Sequence, residues 1–323
     1  MLFRTSTLFL LLFVLVRWAA EAFLPSTTTA RSALLSTSSS SSSSSGSAET
    51  APATTKTLQP IEIVSSMPEW LPKSDLKHHY YLLRHGQSTS NVQGVISSDR
   101  ALAYSTVHGL TPVGITQAQQ AAAPLLQLVQ QGAEANGNAK NQRIVFVSSP
   151  FARAHQTAQA CMDELLEVLA KQKDQNHGND MNFCVSPDII LKDQLVERNF
   201  GRLDGQELFT YAYVWPLDKF NVTHTAFDAE SVAAVCHRIR ACIIGLEQEL
   251  GKDNPNENIH VVLTSHADVL QITQLYAAQA TNVGEFSSYR FTNGEVRRMT
   301  IGSTKDLPEP SPLPRPVRGT YIA

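Results

Sequence analysis

The sequence predicts an α/β fold: a three-layer sandwich with a mostly parallel central sheet and helices on both faces. From about Asp75 onward, apolar runs of strand length alternate with helical stretches, the order that a parallel sheet with crossover helices requires. The chain has 323 residues, 42% of them apolar, enough to bury one large core or two small ones. Three of the strand runs end directly on residues that bind anions, as strands of such a sheet do at their carboxyl edge.

The strand runs are Tyr80–Leu83, Ile144–Val147, Val185–Leu191 and Ile259–Thr264. A last pair, Tyr289–Thr292 and Glu295–Ile301, is joined by Asn293-Gly294, which favours a tight hairpin because both central positions take positive φ. Four helices are expected. Thr111-Pro112 gives a cap and a first-turn proline, opening a helix that Pro124 should kink. Ala152–Ala170, Asp228–Leu250 and His266–Ala278 carry the others, with Asp228 or Ser231 capping the helix that ends at Leu250.

The first 48 residues read as targeting sequence. Arg4 precedes an unbroken apolar run, Leu8–Val16, which is too short to span a bilayer. Small residues at Ala20 and Ala22 suit a peptidase, so residues 1–22 are expected to be a signal peptide. Residues 23–48 are rich in Ser and Thr, hold Arg31 and no acid, and have transit-peptide composition. Their poly-Ser run cannot bury apolar surface and is expected to be disordered. Such a two-part leader resembles that of proteins sent to the plastid of algae with secondary plastids; secretion is the alternative. Residues 49–74 are expected to be a linker, residues 75–302 the folded domain, and residues 303–323, with five prolines, a loose tail. The sequon Asn221-Val222-Thr223 fits either route, because both begin in the endoplasmic reticulum.

Charge and cysteine usage exclude several functions. Of 26 basic and 29 acidic residues, three arginines and one acid lie in residues 1–48, so the remainder carries a net of −5. That balance, without a basic stripe, speaks against nucleic acid as a partner. Cys161, Cys184, Cys236 and Cys242 form no CxxC pair and read as core or surface thiols, not as metal ligands or a disulfide framework. No metal, cofactor or stable membrane anchor is expected. Oligomeric state is not readable.

The chemistry sits after three strands. "YYLL" runs into Arg84-His85; "IVFV" into Ser148, Ser149, Pro150 and then Arg153; "VVLTS" into His266 at a helix start. If these strands are parallel neighbours, two arginines and two histidines meet on one rim, with helix N-termini aimed at it. Only a strong anion reconciles them. A phosphate has the charge, and its oxygens match the guanidinium fork.

The blocks that carry these residues, "LLRHGQSTSN", "GLTPVGITQAQQAA", "VSSPFARAHQTA", "LVERNFGRLDGQE", "ESVAAVCHRI", "VVLTSHADVLQI" and "FTNGEVRRM", resemble the histidine phosphatase superfamily, with its phosphoglycerate-mutase-like fold, in the family's order over roughly residues 78–302. The resemblance implies a phosphohistidine intermediate on His85. It places Arg84, Arg153, His266 and Asn91 around the phosphoryl group and gives Glu197 the role of proton donor. The competing reading of Glu197 is an ion pair with Arg198. Asp193 and Asp204 are its nearest rivals, and Asp268 could orient a histidine. Mutases of the family carry a Trp-Asn pair where this chain has Ser90-Asn91. A metal-independent phosphomonoesterase acting on a small phosphorylated metabolite or sugar phosphate is therefore the expected activity. The alternatives are a cofactor-dependent phosphoglycerate mutase and a non-catalytic module that binds phosphorylated ligands. Val95–His108 and Gln206–Thr225 are expected to build the specificity pocket, with Tyr104, Phe209, Tyr211, Tyr213 and Trp215 as candidate walls.

Overall fold

A computed structural model describes residues 62–135, 141–175, 182–250 and 257–312, and within them six strands form one sheet. In chain order the elements are β1 (His79–Arg84), α1 (Thr89–Gln93), α2 (Pro112–Gln120), α3 (Ala122–Ala135), β2 (Asn141–Ser148), α4 (Ala152–Gln175), β3 (Asn182–Val185), β4 (Ile190–Leu191), α5 (Trp215–Phe220), α6 (Val232–Leu250), β5 (Asn258–Ser265), α7 (Ala267–Ala277) and β6 (Val296–Arg298). The strand order is β3-β2-β5-β1-β6, with β4 also paired to β2. Every pairing is parallel except β1 with β6.

The middle strands are buried on both faces, which explains their nearly unbroken apolar sequence. Tyr80, Leu82, Val145, Val147, Val261 and Leu263 point to one side, where α6 and α7 cover them. Tyr81, Leu83, Ile144, Phe146 and Val262 point to the other, against α3 and α4. This is the expected three-layer arrangement. Four of the expected helices are present. Thr111 Oγ1 accepts the Gly114 N–H at 3.1 Å, and Ser231 Oγ accepts the Ala234 N–H at 3.1 Å. In place of the kink expected at Pro124, α2 and α3 are separated at Ala121, three residues earlier, where the backbone keeps right-handed helical angles. A proline ring clashes with the carbonyl four residues before it and offers no N–H to it.

Two expected strands are corrected. Val185–Leu191 is not one strand: β3 ends at Val185 and β4 begins at Ile190. Pro187 lies between them and has no N–H for the ladder. Tyr289–Thr292 is not a strand and makes no hairpin with β6, which pairs instead with the free edge of β1. Gly294 has φ 75°, but Asn293 is not among the positive-φ residues, so the turn lacks the two left-handed positions that a tight hairpin needs.

Residues from the expected linker and from the expected tail pack on the domain. Within the expected linker, Leu71 is 1% exposed and Trp70 meets the Tyr276 ring at 5.4 Å. Within the expected tail, Leu307 packs on the core and Ser311 N–H donates to Ser288 O at 2.7 Å. The leader and residues 313–323 lie outside the described residues. Among the described residues, no helix is long and apolar enough to cross a membrane, and the four cysteines are free.

Candidate active site

The carboxyl ends of β1, β5 and β2 lie side by side, with β5 in the middle. Arg84 closes β1, His85 follows it, His266 caps α7 directly after β5, and Arg153 stands in the first turn of α4 after β2. The convergence expected from sequence is therefore present. The His85 and His266 rings lie 5.2 Å apart, edge to face. Arg84, His85, Asn91, Arg153 and Glu197 line one pocket.

His85 is held on three sides. Its N–H donates to Ser265 O at 3.0 Å, which fixes the backbone against β5. The next residue, Gly86, touches Gly114 at the start of α2. A Cβ on Gly86 would meet Gly114 O at 2.2 Å, and one on Gly114 would meet Gln87 O at 2.0 Å. The ring Nδ1 lies 2.7 Å from Gly86 O. A carbonyl can only accept, so the neutral ring carries its proton on Nδ1 and leaves the Nε2 lone pair free. Burial, with Arg153 and Arg84 nearby, lowers the His85 pKa well below the ordinary imidazole value. The ring is therefore neutral near pH 7, as a nucleophile must be.

Three arginines line the pocket, Arg84, Arg153 and Arg290, the first two beside His85. Arg84 Nη1 donates to Phe291 O at 2.5 Å, and its buried Nε has no partner among the described residues. Arg153 donates to Ser97 O at 2.7 Å and Ser97 Oγ at 3.3 Å, and its guanidinium lies 4.8 Å from the Phe151 ring centre. Burial lowers its pKa to about 10, which leaves it protonated at neutral pH. His266 Nε2 lies 2.9 Å from Ser149 Oγ, and its Nδ1 is buried without a partner among the described residues. If the serine hydroxyl donates to Nε2, His266 carries its proton on Nδ1; the residue is fully buried beside His85 and is not among those that line the pocket. The Asn91 side-chain oxygen accepts from Ser88 N–H and from the Asn293 amide, so its NH2 group is the end left for a ligand.

Glu197 is 7% exposed. Its carboxyl accepts the Arg198 backbone N–H at 2.9 Å but does not pair with that residue's guanidinium, which is bound to Asp218 at 2.8 Å. Burial raises its pKa, and the pull of Arg153 does not cancel that. Its two rivals are placed elsewhere. Asp193 is exposed. Asp204 accepts from Ser98 N–H, Ser98 Oγ and Asp99 N–H, holding a loop, and does not line the pocket.

Asp268 does line the pocket, but it orients no histidine: its Oδ2 accepts the Trp215 indole N–H at 3.0 Å. Burial and the neighbouring Glu197 push its pKa up to about 7. Both expected specificity segments reach the pocket, through Val95, Ser97, Leu208, Tyr211 and Trp215. Tyr104, Phe209 and Tyr213 do not line it. Gln271 and Arg290, which also line the pocket, were not legible as site residues. Gln271 alone had a signal, lying one helical turn beyond Asp268. Among the described residues, no group of three or more His, Cys, Asp or Glu is placed to hold a metal ion.

A family model described as "Histidine phosphatase superfamily (branch 1)" matches residues 80–176 and 181–306. No curated protein matches the chain. Among solved structures, a mycobacterial glucosyl-3-phosphoglycerate phosphatase in complex with VO3 aligns with 70% of this chain and 100% of its own, at 16% identity and a TM-score of 0.49. "Mycobacterial hydrolase 1" aligns with 68% of this chain and 88% of its own, at 20% identity and a TM-score of 0.46.

Proposed function

Because the chain belongs to the histidine phosphatase superfamily, we propose that it is a phosphomonoesterase that hydrolyses a small phosphorylated metabolite through a phosphohistidine on His85. The observation that carries this reading is the Nδ1 contact of His85 with Gly86 O, which leaves Nε2 as a neutral nucleophile in a pocket that also holds Glu197. Nε2 attacks phosphorus as the ester P–O bond breaks. The departing alkoxide takes the proton of Glu197. Water then attacks phosphorus, giving a proton to the Glu197 carboxylate as the P–N bond breaks and its electron pair returns to Nε2. Inorganic phosphate leaves, and both side chains return to their starting states. Arg84, Arg153 and Asn91 would hold the non-bridging oxygens. An arginine in such a position is worth about 10²–10³ in rate.

A panel of phosphorylated metabolites, assayed for phosphate release with a chelator present, tests the proposal. Release is expected to be unchanged by the chelator. Phosphate migration that greatly exceeds release would favour a mutase, and tight binding without turnover would favour a binding module. We further propose a plastid destination, on the two-part leader read in residues 1–48.

The pH profile follows from the two shifted groups. Glu197 must be protonated to act as the acid. Its pKa is raised, so the active form persists above the ordinary carboxylate range and is lost as pH rises through the raised value. His85 must be neutral, and its lowered pKa keeps it so on the acid side. Activity is therefore expected to be high in the acid to neutral range and to fall with alkalinity. Glu197→Gln should lower kcat by about 10²–10⁴ and flatten the part of the alkaline fall that Glu197 causes. An unchanged alkaline limb in that variant would assign the limb to another group.

A further inference from the structure

We infer that Asp268 and Gln271 form the leaving-group subsite of this pocket, and that it takes an ester of a hydroxyl-rich alcohol, not one carrying a second anion. The inference rests on the phosphatase reading of the same pocket. Both residues are nearly fully buried, at 2% and 3% exposure, yet both line the cavity. They stand one turn apart on α7, where residues i and i+3 share a face.

The two ends of Asp268 are treated differently by the fold. Oδ2 is anchored by the Trp215 indole N–H at 3.0 Å, with Arg198 Nη1 at 3.6 Å. Among the described residues, Oδ1 has only the Gln271 amide at 3.5 Å, the outer limit of a hydrogen bond. Burying a carboxyl oxygen and an amide with so weak a contact is costly unless a ligand completes them. A carboxyl and an amide side by side offer acceptors and a donor, which is what neighbouring hydroxyls need. The adjoining wall suits the rest of such a molecule. Tyr211 and Trp215 stack at 4.5 Å and 4°, giving flat faces against which C–H groups can lie.

An acidic leaving group fits less well. Asp268, in its ionised form, opposes a second negative charge in the pocket it lines. Arg290 is the lining cation outside the Arg84 and Arg153 pair. It already donates to Ser287 O at 3.3 Å and to Pro312 O at 3.1 Å.

Steady-state kinetics of the wild type, Asp268→Ala and Gln271→Leu on glucose 6-phosphate, 3-phosphoglycerate and p-nitrophenyl phosphate test this. The wild type is expected to prefer glucose 6-phosphate to 3-phosphoglycerate. A hydrogen bond to a charged group corresponds to about ten- to a hundredfold. Each variant should therefore lose at least tenfold more kcat/KM on glucose 6-phosphate than on p-nitrophenyl phosphate. A smaller ratio, or a wild-type preference for 3-phosphoglycerate, overturns the subsite. If Asp268→Ala does not fold, Gln271→Leu carries the same comparison. Calorimetry on a His85→Ala background separates this inference from the reading beneath it. There Asp268→Ala should weaken glucose 6-phosphate at least tenfold more than inorganic phosphate. That split in a protein that hydrolyses no ester would sink the phosphatase and leave the subsite standing. Equal weakening, or none, would sink the subsite.

Discussion

His85→Ala is expected to lower phosphate release by about 10⁴-fold or more, the loss typical when the nucleophile of a covalent mechanism is removed. The size follows from how little else in the pocket can attack phosphorus. His266 is the neighbouring imidazole, but it does not line the pocket and its Nε2 lies 2.9 Å from Ser149 Oγ. Glu197 is needed as the acid. Phosphate affinity should change much less, because Arg84 and Arg153 are held by Phe291 O and Ser97, not by the His85 ring. The variant should thus bind inorganic phosphate and fail to turn over. In the wild type, rapid quenching during turnover should trap a phosphoenzyme that survives base and is lost in acid, as a P–N bond requires. A variant with full activity, or a phosphoenzyme stable to acid, would end the proposed mechanism.

The same residue shows what sequence could and could not reveal. The Arg84-His85-Gly86 corner was legible because β1 is buried on both faces, so its apolar run stops abruptly where the chain leaves the sheet. The ends of β2 and β5 were legible for the same reason, and adjacency in a parallel sheet did the rest. The break between β3 and β4 is written in Pro187, which has no N–H for the ladder. The partner of β6 was not written locally. It was chosen by the free edge of β1, where Arg84 N–H donates to Glu295 O at 3.0 Å across 211 residues of chain. Asp268 was visible as an acid two residues after His266, but its place depends on Trp215, which reaches it from a separate helix. Arg290 is a lone cation between elements, and no periodicity marks it. Contacts made by distant chain segments leave no pattern at either end.

One such contact supports Glu197 from behind and leads to the second large effect. Arg198 is fully buried, and its fork is bound to Asp218 through Nη1 and Nη2, both at 2.8 Å, with Nε on Glu230 O at 2.7 Å. Burial alone would raise the Asp218 pKa, but Arg198 beside it outweighs that and holds the carboxyl below its ordinary value. Asp218→Ala would leave a buried guanidinium with Asp268 as its nearest carboxylate, 3.6 Å away. Breaking a buried pair from one side costs about 3–5 kcal/mol, which urea unfolding followed by circular dichroism would measure. The loss should reach the chemistry as well, because the Arg198 backbone N–H holds the Glu197 carboxyl. The double variant Arg198→Met/Asp218→Leu should recover most of the stability, since neither partner's charge remains buried alone. A loss under about 1 kcal/mol in Asp218→Ala would mean that Asp268 and the Glu230 carbonyl suffice for Arg198. In that case the pair would not be what keeps Glu197 in position.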